Sequence, residues 1–262
     1  MPELIEVEYY RKALTPLIGS ELRSVTVDPL SFLRPAGTPA SIFDPLIGST
    51  LARTRRIGKL LILEMADGQG ASGEIGLRFG MTGRLLVDGV GPIERLEYSS
   101  GRNEPRWDRA VLDFGSLVAI RDQRKLGSIE VDPDIEQLGP DVLTLDGTAW
   151  KALLSRRRRS IKSALLDQSL VAGLGNLLAD EILWRASMAP MRAGSSLSDE
   201  ELARLGEVAS SVIDELTARG GSHRGDSFAL RNSDAECSLC GETMSHETIG
   251  GRSTWWCSGH QR

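Results

Sequence analysis

The chain has 262 residues, 40% of them hydrophobic and 26% charged, which suits one large or two ordinary globular domains that fold without covalent staples. No run approaches the roughly 18 apolar residues of a membrane helix, and Glu3, Glu6 and Glu8 stand where a secretory signal would be basic, so a membrane-spanning protein is excluded and a cytoplasmic one expected. A net charge of −5 argues against nucleic acid taken alone, but residues 1–150 hold 17 basic and 22 acidic side chains, 151–262 hold 14 of each, and six of those basic ones crowd into 151–162.

Near the N-terminus Leu4, Val7, Leu14, Leu17 and Ile18 fall at helical spacing, which predicts a helix over residues 2–19 with Pro2 in its first turn, where a missing N–H costs nothing. Short Val-, Ile- and Leu-rich segments follow: LRSVTVDP, LLILEMADG, IGLRFGMTGRLLVDG, RAVLDFGSLVAIRDQ and GSIEVDP, each punctuated by Gly, Pro or Asp. They predict antiparallel strands of a sandwich or barrel as far as about Pro133. From Asp141 apolar residues recur three and four apart through TAWKALLSRR, SIKSALLDQ, NLLADEILWRA and SDEELARLGEVASSVIDELTARG. A helical domain is expected there, with a capping box at Ser198 and Glu201 and a stop at Gly220-Gly221. Residues 222–262 are too poor in aliphatic side chains to hold themselves together. The expected domains are 1–134, 135–222 and 223–262.

The tail carries its own staple. All three cysteines fall in the last 26 residues as Cys237-x2-Cys240-x16-Cys257-x2-His260, two knuckles around a hairpin-length insert, the spacing of a four-coordinate structural zinc site. His246 and water compete with His260 for the fourth position. Between the knuckles, Gly250-Gly251-Arg252 puts an arginine on a flexible hairpin tip with Trp255 and Trp256 to pack under it, where it can reach a phosphate or simply be solvated. The turn Gly173-Leu174-Gly175-Asn176 lets backbone N–H groups approach an anion at the start of a helix, or is only a tight corner. The arginines at 156–159 read as a phosphate stripe or a solvated helix face, and Lys59 falls at a turn or strand edge. Loss of Met1 would expose Pro2 as a secondary amine with a pKa of about 8, able to attack a sugar C1′ and give an iminium, with Glu3 beside it to shuttle protons. The plainer reading is a first-turn proline and an acid serving the helix dipole.

Taken in order, MPELIEVE, RIGKLLILE, LRFGMTGRLLV, DQRKLGS, LLDQSLVAGLGNLLADEILWRASMAP and the cysteine hairpin with Arg252 resemble the formamidopyrimidine-DNA glycosylase and endonuclease VIII family almost end to end. The resemblance implies an α+β fold, with an N-terminal helix and a two-sheet β-sandwich followed by a helix–two-turn–helix domain and a C-terminal zinc finger. It implies a bifunctional DNA glycosylase and AP lyase of base-excision repair, acting on damaged double-stranded DNA as a cytoplasmic, nucleoid-associated monomer with one structural Zn2+. By position, Pro2 is then the Schiff-base nucleophile, Glu3 the acid/base, and Lys59 a third catalytic-site residue that grips phosphate together with Asn176 and Arg252. Glu181 adds a second buried carboxylate at the DNA, Met81 and Arg124 fill the gap left by a flipped base, and Cys237, Cys240, Cys257 and His260 hold the metal. Ile5, Leu126, His260 and the short stretch 220–228 depart from the Pro, Phe, Cys and longer lesion-closing loop usual in the family. The competing reading is a binder of abasic or distorted DNA without chemistry, which would need neither Pro2 nor Glu3.

Overall fold

Helix α1 (Leu4–Ala13) opens the first of two units, Met1–Glu136 and Gln137–Arg262, in a computed structural model that describes residues 2–28, 30–94, 96–102 and 104–262. The expected helix is shorter at both ends. Pro2 precedes the N-cap residue Glu3 and stays outside, while Pro16 has no N–H for the carbonyl four residues back, so a single 3-10 turn, Thr15–Leu17, replaces the last part.

Eight strands complete this unit: β1 (Ser24–Val27), β2 (Thr50–Ile57), β3 (Leu60–Asp67), β4 (Gly70–Arg78), β5 (Arg84–Val87), β6 (Asp108–Asp113), β7 (Leu117–Arg121) and β8 (Ser128–Val131). They form two antiparallel sheets, ordered β2-β3-β4-β8 and β1-β6-β7-β5. Leu63, Ile75, Leu77 and Ile129 from one sheet and Leu85, Leu112, Val118 and Ile120 from the other share a single buried cluster with Val7, Tyr10 and Leu14. That is a sandwich with a helix added to its core, and each such side chain contributes about 1.5–3 kcal/mol by leaving water. Strand β2 is absent from the sequence expectation because its arginines mask the alternation. Arg55 explains them: it pairs with Glu64 on β3 at 2.8 Å and Glu74 on β4 at 2.7 Å, a charge ladder across three strands.

The second unit holds α2 (Gly147–Leu154), α3 (Ile161–Leu165), α4 (Asn176–Arg185), α5 (Asp199–Ala218) and the hairpin β9 (Ser245–Ile249) and β10 (Arg252–Trp256); the tail 223–262 lies within it. The capping box on α5 is present, with Ser198 N–H donating to Glu201 at 2.8 Å and Glu201 N–H to the Ser198 hydroxyl at 3.2 Å. Gly220, at φ +97°, ends the helix in the left-handed region. Trp150 of α2 lies against Gly206 of α5, where a Cβ would come within 2.6 Å of the indole. The run 156–159 is the link between α2 and α3 and not a helix face. Arg157 bonds the Leu153 carbonyl and Arg159 the Asp167 carboxylate at 2.6 Å, while Lys162, the last of the basic run, is fully buried. Among the described residues no helix is long and apolar enough to cross a membrane.

Candidate functional site

Glu3 and Glu6 close a reciprocal capping box around the start of α1: the Glu3 N–H donates to Glu6 Oε2 at 2.8 Å, and the Glu6 N–H donates back to the Glu3 side chain. Neither side chain has exposed surface. Ser, Thr, Asp and Asn are the usual N-caps, so a glutamate here is not what helix capping alone would select. Pro2 is buried immediately before this pair and is not the N1 residue, which corrects the plainer reading of its position. Met1 lies outside the described residues.

Lys59 sits in the two-residue turn joining β2 and β3, after Gly58 at φ +56°, a positive φ that a tight hairpin demands at its first central position. The Gly58 carbonyl accepts from Arg56 at 2.7 Å, and Arg56 also approaches Glu8 of α1 at 3.6 Å. Met81 and Arg124 come from separate loops and meet, with guanidinium to sulfur at 3.9 Å. Tyr10 of α1 donates to Gly83 at 3.4 Å and packs on Phe79 at 4.6 Å, which ties the helix to the Met81 loop.

In the second unit α4 does most of the positioning. Asn176 is its first residue, as expected, preceded by the N-cap Gly175. The Gly173 N–H is not aimed at an anion, since it donates to Gln168 at 3.0 Å, and the Gln168 amide donates to the Leu166 and Leu174 carbonyls. Asn176 Nδ2 donates to the Ser253 carbonyl at 3.0 Å, beside Arg252; an amide nitrogen has two N–H bonds, so this one does not exhaust it. Arg252 is exposed and pairs with Ile249 across Gly250-Gly251, both at positive φ. The tryptophans serve the hairpin itself: Trp255 stacks on His246 at 4.5 Å and Trp256 donates to Glu247 at 3.2 Å.

Sequence reasoning missed the group beneath this hairpin. Buried Lys162 of α3 reaches Asp180 of α4 at 2.5 Å, the Thr254 hydroxyl at 2.7 Å and the Ser253 carbonyl at 3.3 Å. Arg231 holds the other Asp180 oxygen at 2.6 Å. Burial pushes the Asp180 carboxyl up, against the pull of Lys162 and Arg231.

Glu181, the next residue on α4, is nearly inaccessible. Its carboxylate accepts from Arg185 at 2.6 Å and from the backbone N–H groups of Asp226 and Ser227 at 3.1 and 2.8 Å. Arg185 continues to Glu215 and Asp226, and burial notwithstanding, Glu215 and Glu181 hold its guanidinium above its ordinary value. The expected buried carboxylate is therefore present, with its partners in the turn 225–227 and α4.

Cys237, Cys240, Cys257 and His260 converge, with their four donor atoms within 4.8 Å of one another. Cys237 Sγ lies 3.3 Å from His260 Nδ1, and Cys240 Sγ 3.3 Å from Cys257 Sγ. His260 Nε2 is 3.0 Å from the Trp184 carbonyl, which can only accept, so Nε2 carries the proton and Nδ1 offers its lone pair to the cluster. That is the tautomer a metal requires. His246 is not part of this cluster: it lies on β9 and bonds Ser253 of β10 at 2.8 Å. A Cβ at Gly259 would meet Cys240 Sγ at 2.9 Å, so the second knuckle needs its glycine. Three thiols and one imidazole fit a tetrahedral, borderline-soft ion.

The chain matches the model of the formamidopyrimidine-DNA glycosylase N-terminal domain over residues 1–129 and that of the formamidopyrimidine-DNA glycosylase H2TH domain over 138–226. A relative from Cereibacter sphaeroides, named formamidopyrimidine-DNA glycosylase, is 34% identical over 90% of this chain and 84% of its own. One of the same name from Stenotrophomonas maltophilia is 30% identical over 100% of both chains, and one from Mycobacterium avium 31% over 98% and 97%. Among solved structures, Lactococcus lactis Fpg in complex with abasic-site DNA is similar at TM-score 0.81 and 23% identity over 100% of both chains. The same protein with DNA containing an oxidised pyrimidine is similar at 0.81 and 24%, with the same coverage. At these identities the structural likeness speaks for the fold.

Proposed function

Because this chain belongs to the formamidopyrimidine-DNA glycosylase family, we propose that it excises oxidised or ring-opened bases from duplex DNA and then cleaves the abasic strand by elimination. Once Met1 is removed, the Pro2 amine is roughly one-tenth neutral at pH 7 and attacks C1′ of the damaged nucleoside. The N–C1′ bond forms as the glycosidic bond breaks, the base leaves with a proton, and loss of the amine proton leaves C1′ carrying both the proline nitrogen and the ring oxygen. Glu3 protonates the ring oxygen, opening the sugar to an iminium that serves as electron sink. Removal of a C2′ proton then expels the 3′ phosphate. Lys59, Asn176 and Arg252 grip phosphates around the flipped nucleotide, and Met81 and Arg124 enter the gap it leaves. Glu181 supplies the second buried carboxylate near the site and supports the turn 225–227. The three cysteines and His260 hold one zinc ion, which supplies folding energy to the tail and no chemistry.

The observation that carries this reading is Pro2 outside the helix, beside the buried carboxylate of Glu3, which stands where helix capping would select Ser, Thr, Asp or Asn. Borohydride added to the protein with duplexes bearing single lesions or an abasic site tests it. The parent should be trapped covalently on DNA, and Pro2→Gly should not. Glu3→Gln keeps the acceptor that caps α1 and should bind DNA without releasing base. A parent that binds abasic duplex but is never trapped would leave the non-catalytic binder.

A further inference from the structure

The two loops that bear Met81 and Arg124 are crossovers between the same pair of sheets. Residues 79–83 lead from β4 in one sheet to β5 in the other, and 122–127 lead from β7 back to β8. Arg78 pairs with Ser128 and Arg84 with Arg121, so both crossovers start and finish on paired residues and must run side by side. A Cβ at Gly80 would lie 2.5 Å from the Leu126 backbone; the two chains touch there main chain to main chain.

One carboxylate organises this contact. Asp122 has no exposed surface, and its oxygens accept from the backbone N–H groups of Arg124, Leu126 and Gly127 at 3.2, 2.7 and 2.8 Å. Lys125, at φ +56°, lets the loop curl around it. The same carboxylate accepts a short hydrogen bond from the Thr82 hydroxyl, itself 1% exposed, which fastens the Met81 loop to the Arg124 loop. From the far side, Arg109 donates to the Asp122 carbonyl at 2.8 Å. Around this buried centre the exposed side chains are Arg124, held against Met81, Lys125, turned to Asp28 at 3.2 Å, and Leu126, an apolar residue left 48% exposed.

We infer that Asp122 and Thr82 are positioning residues that hold Met81, Arg124 and Leu126 as one preassembled wedge for the gap in a duplex from which a nucleotide has been flipped. The inference rests on the proposed function. Both residues are too buried to touch DNA, so they act through the loops. Ordering two loops before contact removes that entropic cost from binding, and the saving matters only where there is a gap to fill. Single-stranded DNA has none.

The test compares binding to a duplex carrying a tetrahydrofuran abasic analogue with binding to the same strand unpaired. Thr82→Val keeps the volume and removes the hydroxyl, and should weaken duplex binding about tenfold, the scale of one charge-assisted hydrogen bond, with single-strand affinity unchanged. Thr82→Ser should restore the duplex value. Thr82→Val affinities that fall equally on both DNAs, or on neither, would overturn the inference, as would a serine variant no better than valine. Asp122→Asn should show the same selective loss if it folds, and the threonine pair decides the matter if it does not. A parent that binds with this preference yet is never trapped by borohydride would sink the chemistry proposed above and leave the wedge standing.

Discussion

Lys162 is a lysine without exposed surface, tolerable only because Asp180, Thr254 and Ser253 surround its ammonium and Arg231 shares the carboxylate. In the sequence it looks like one more member of a solvated basic run, since its partners are 18 and 92 positions away and no local pattern connects them. Asp122 is hidden for a related reason: an acid in a turn normally reads as surface chemistry, and only the folded loop reveals that three backbone N–H groups face it. The cysteine knuckles were legible because their spacing alone constrains them. Replacing Lys162 by Met should cost about 3–5 kcal/mol, the usual penalty for leaving a buried charge uncompensated, measured by urea unfolding. Burial already raises the Asp180 carboxyl, and losing the ammonium raises it further. A carboxyl raised in the folded state favours folding below its unfolded value and loses that contribution as pH climbs through the folded value. The deficit should therefore be larger at pH 7 than at pH 4, and equal deficits would show that Asp180 is not the group left uncompensated.

Helix α4 serves as a ruler for the tail. Its first residue, Asn176, holds the Ser253 carbonyl; Asp180 in the middle takes Lys162 and Arg231; and the Trp184 carbonyl near its end orients His260. Gly250 packs so tightly that a Cβ would meet Ser163 Oγ of α3 at 2.6 Å. Periodicity and the Gly-Asn entry made this helix readable from sequence, whereas β2 was hidden by arginines whose partners sit on other strands, and Pro2 was placed two positions too far in, because a glutamate is not read as an N-cap from sequence. The tail has a small cluster of Trp184, Cys237, Met244 and Cys257 and little other apolar support, so a metal held by the three cysteines and His260 would supply much of its folding energy. Chelation should disorder β9 and β10 and weaken DNA binding together, with one zinc per chain released. His260→Ala should lower zinc affinity while Trp184, on a helix with its own core, stays ordered. Zinc retention by the alanine variant, or full DNA affinity after chelation, would contradict this assignment.

At the scale of the whole molecule, an excess of five negative charges must coexist with a polyanionic partner, so binding depends on a few cations placed against phosphate and not on a general basic surface. Many of the arginines are already committed internally: Arg55, Arg121, Arg185, Arg192 and Arg231 all hold carboxylates, whereas Arg252 is exposed at the turn of its hairpin. Counterion release counts phosphate contacts wherever they lie on the chain, so each lost cation should reduce the slope of log K against log salt by about 0.9 on duplex DNA. Arg252→Ala and Lys59→Ala should each do so, while Asn176→Ala, which removes a neutral donor, should weaken binding and leave the slope nearly alone. All three should weaken binding to different lesions alike, because phosphate contacts position DNA without reading bases. Base preference should respond instead to changes at Leu126 and at the turn 222–226, whose end Glu181 pins through the N–H groups of Asp226 and the following Ser227. Salt titrations of each variant on two lesions decide this, and an Arg252→Ala protein that loses one lesion while keeping the other would show that the hairpin reads the base as well as gripping the backbone.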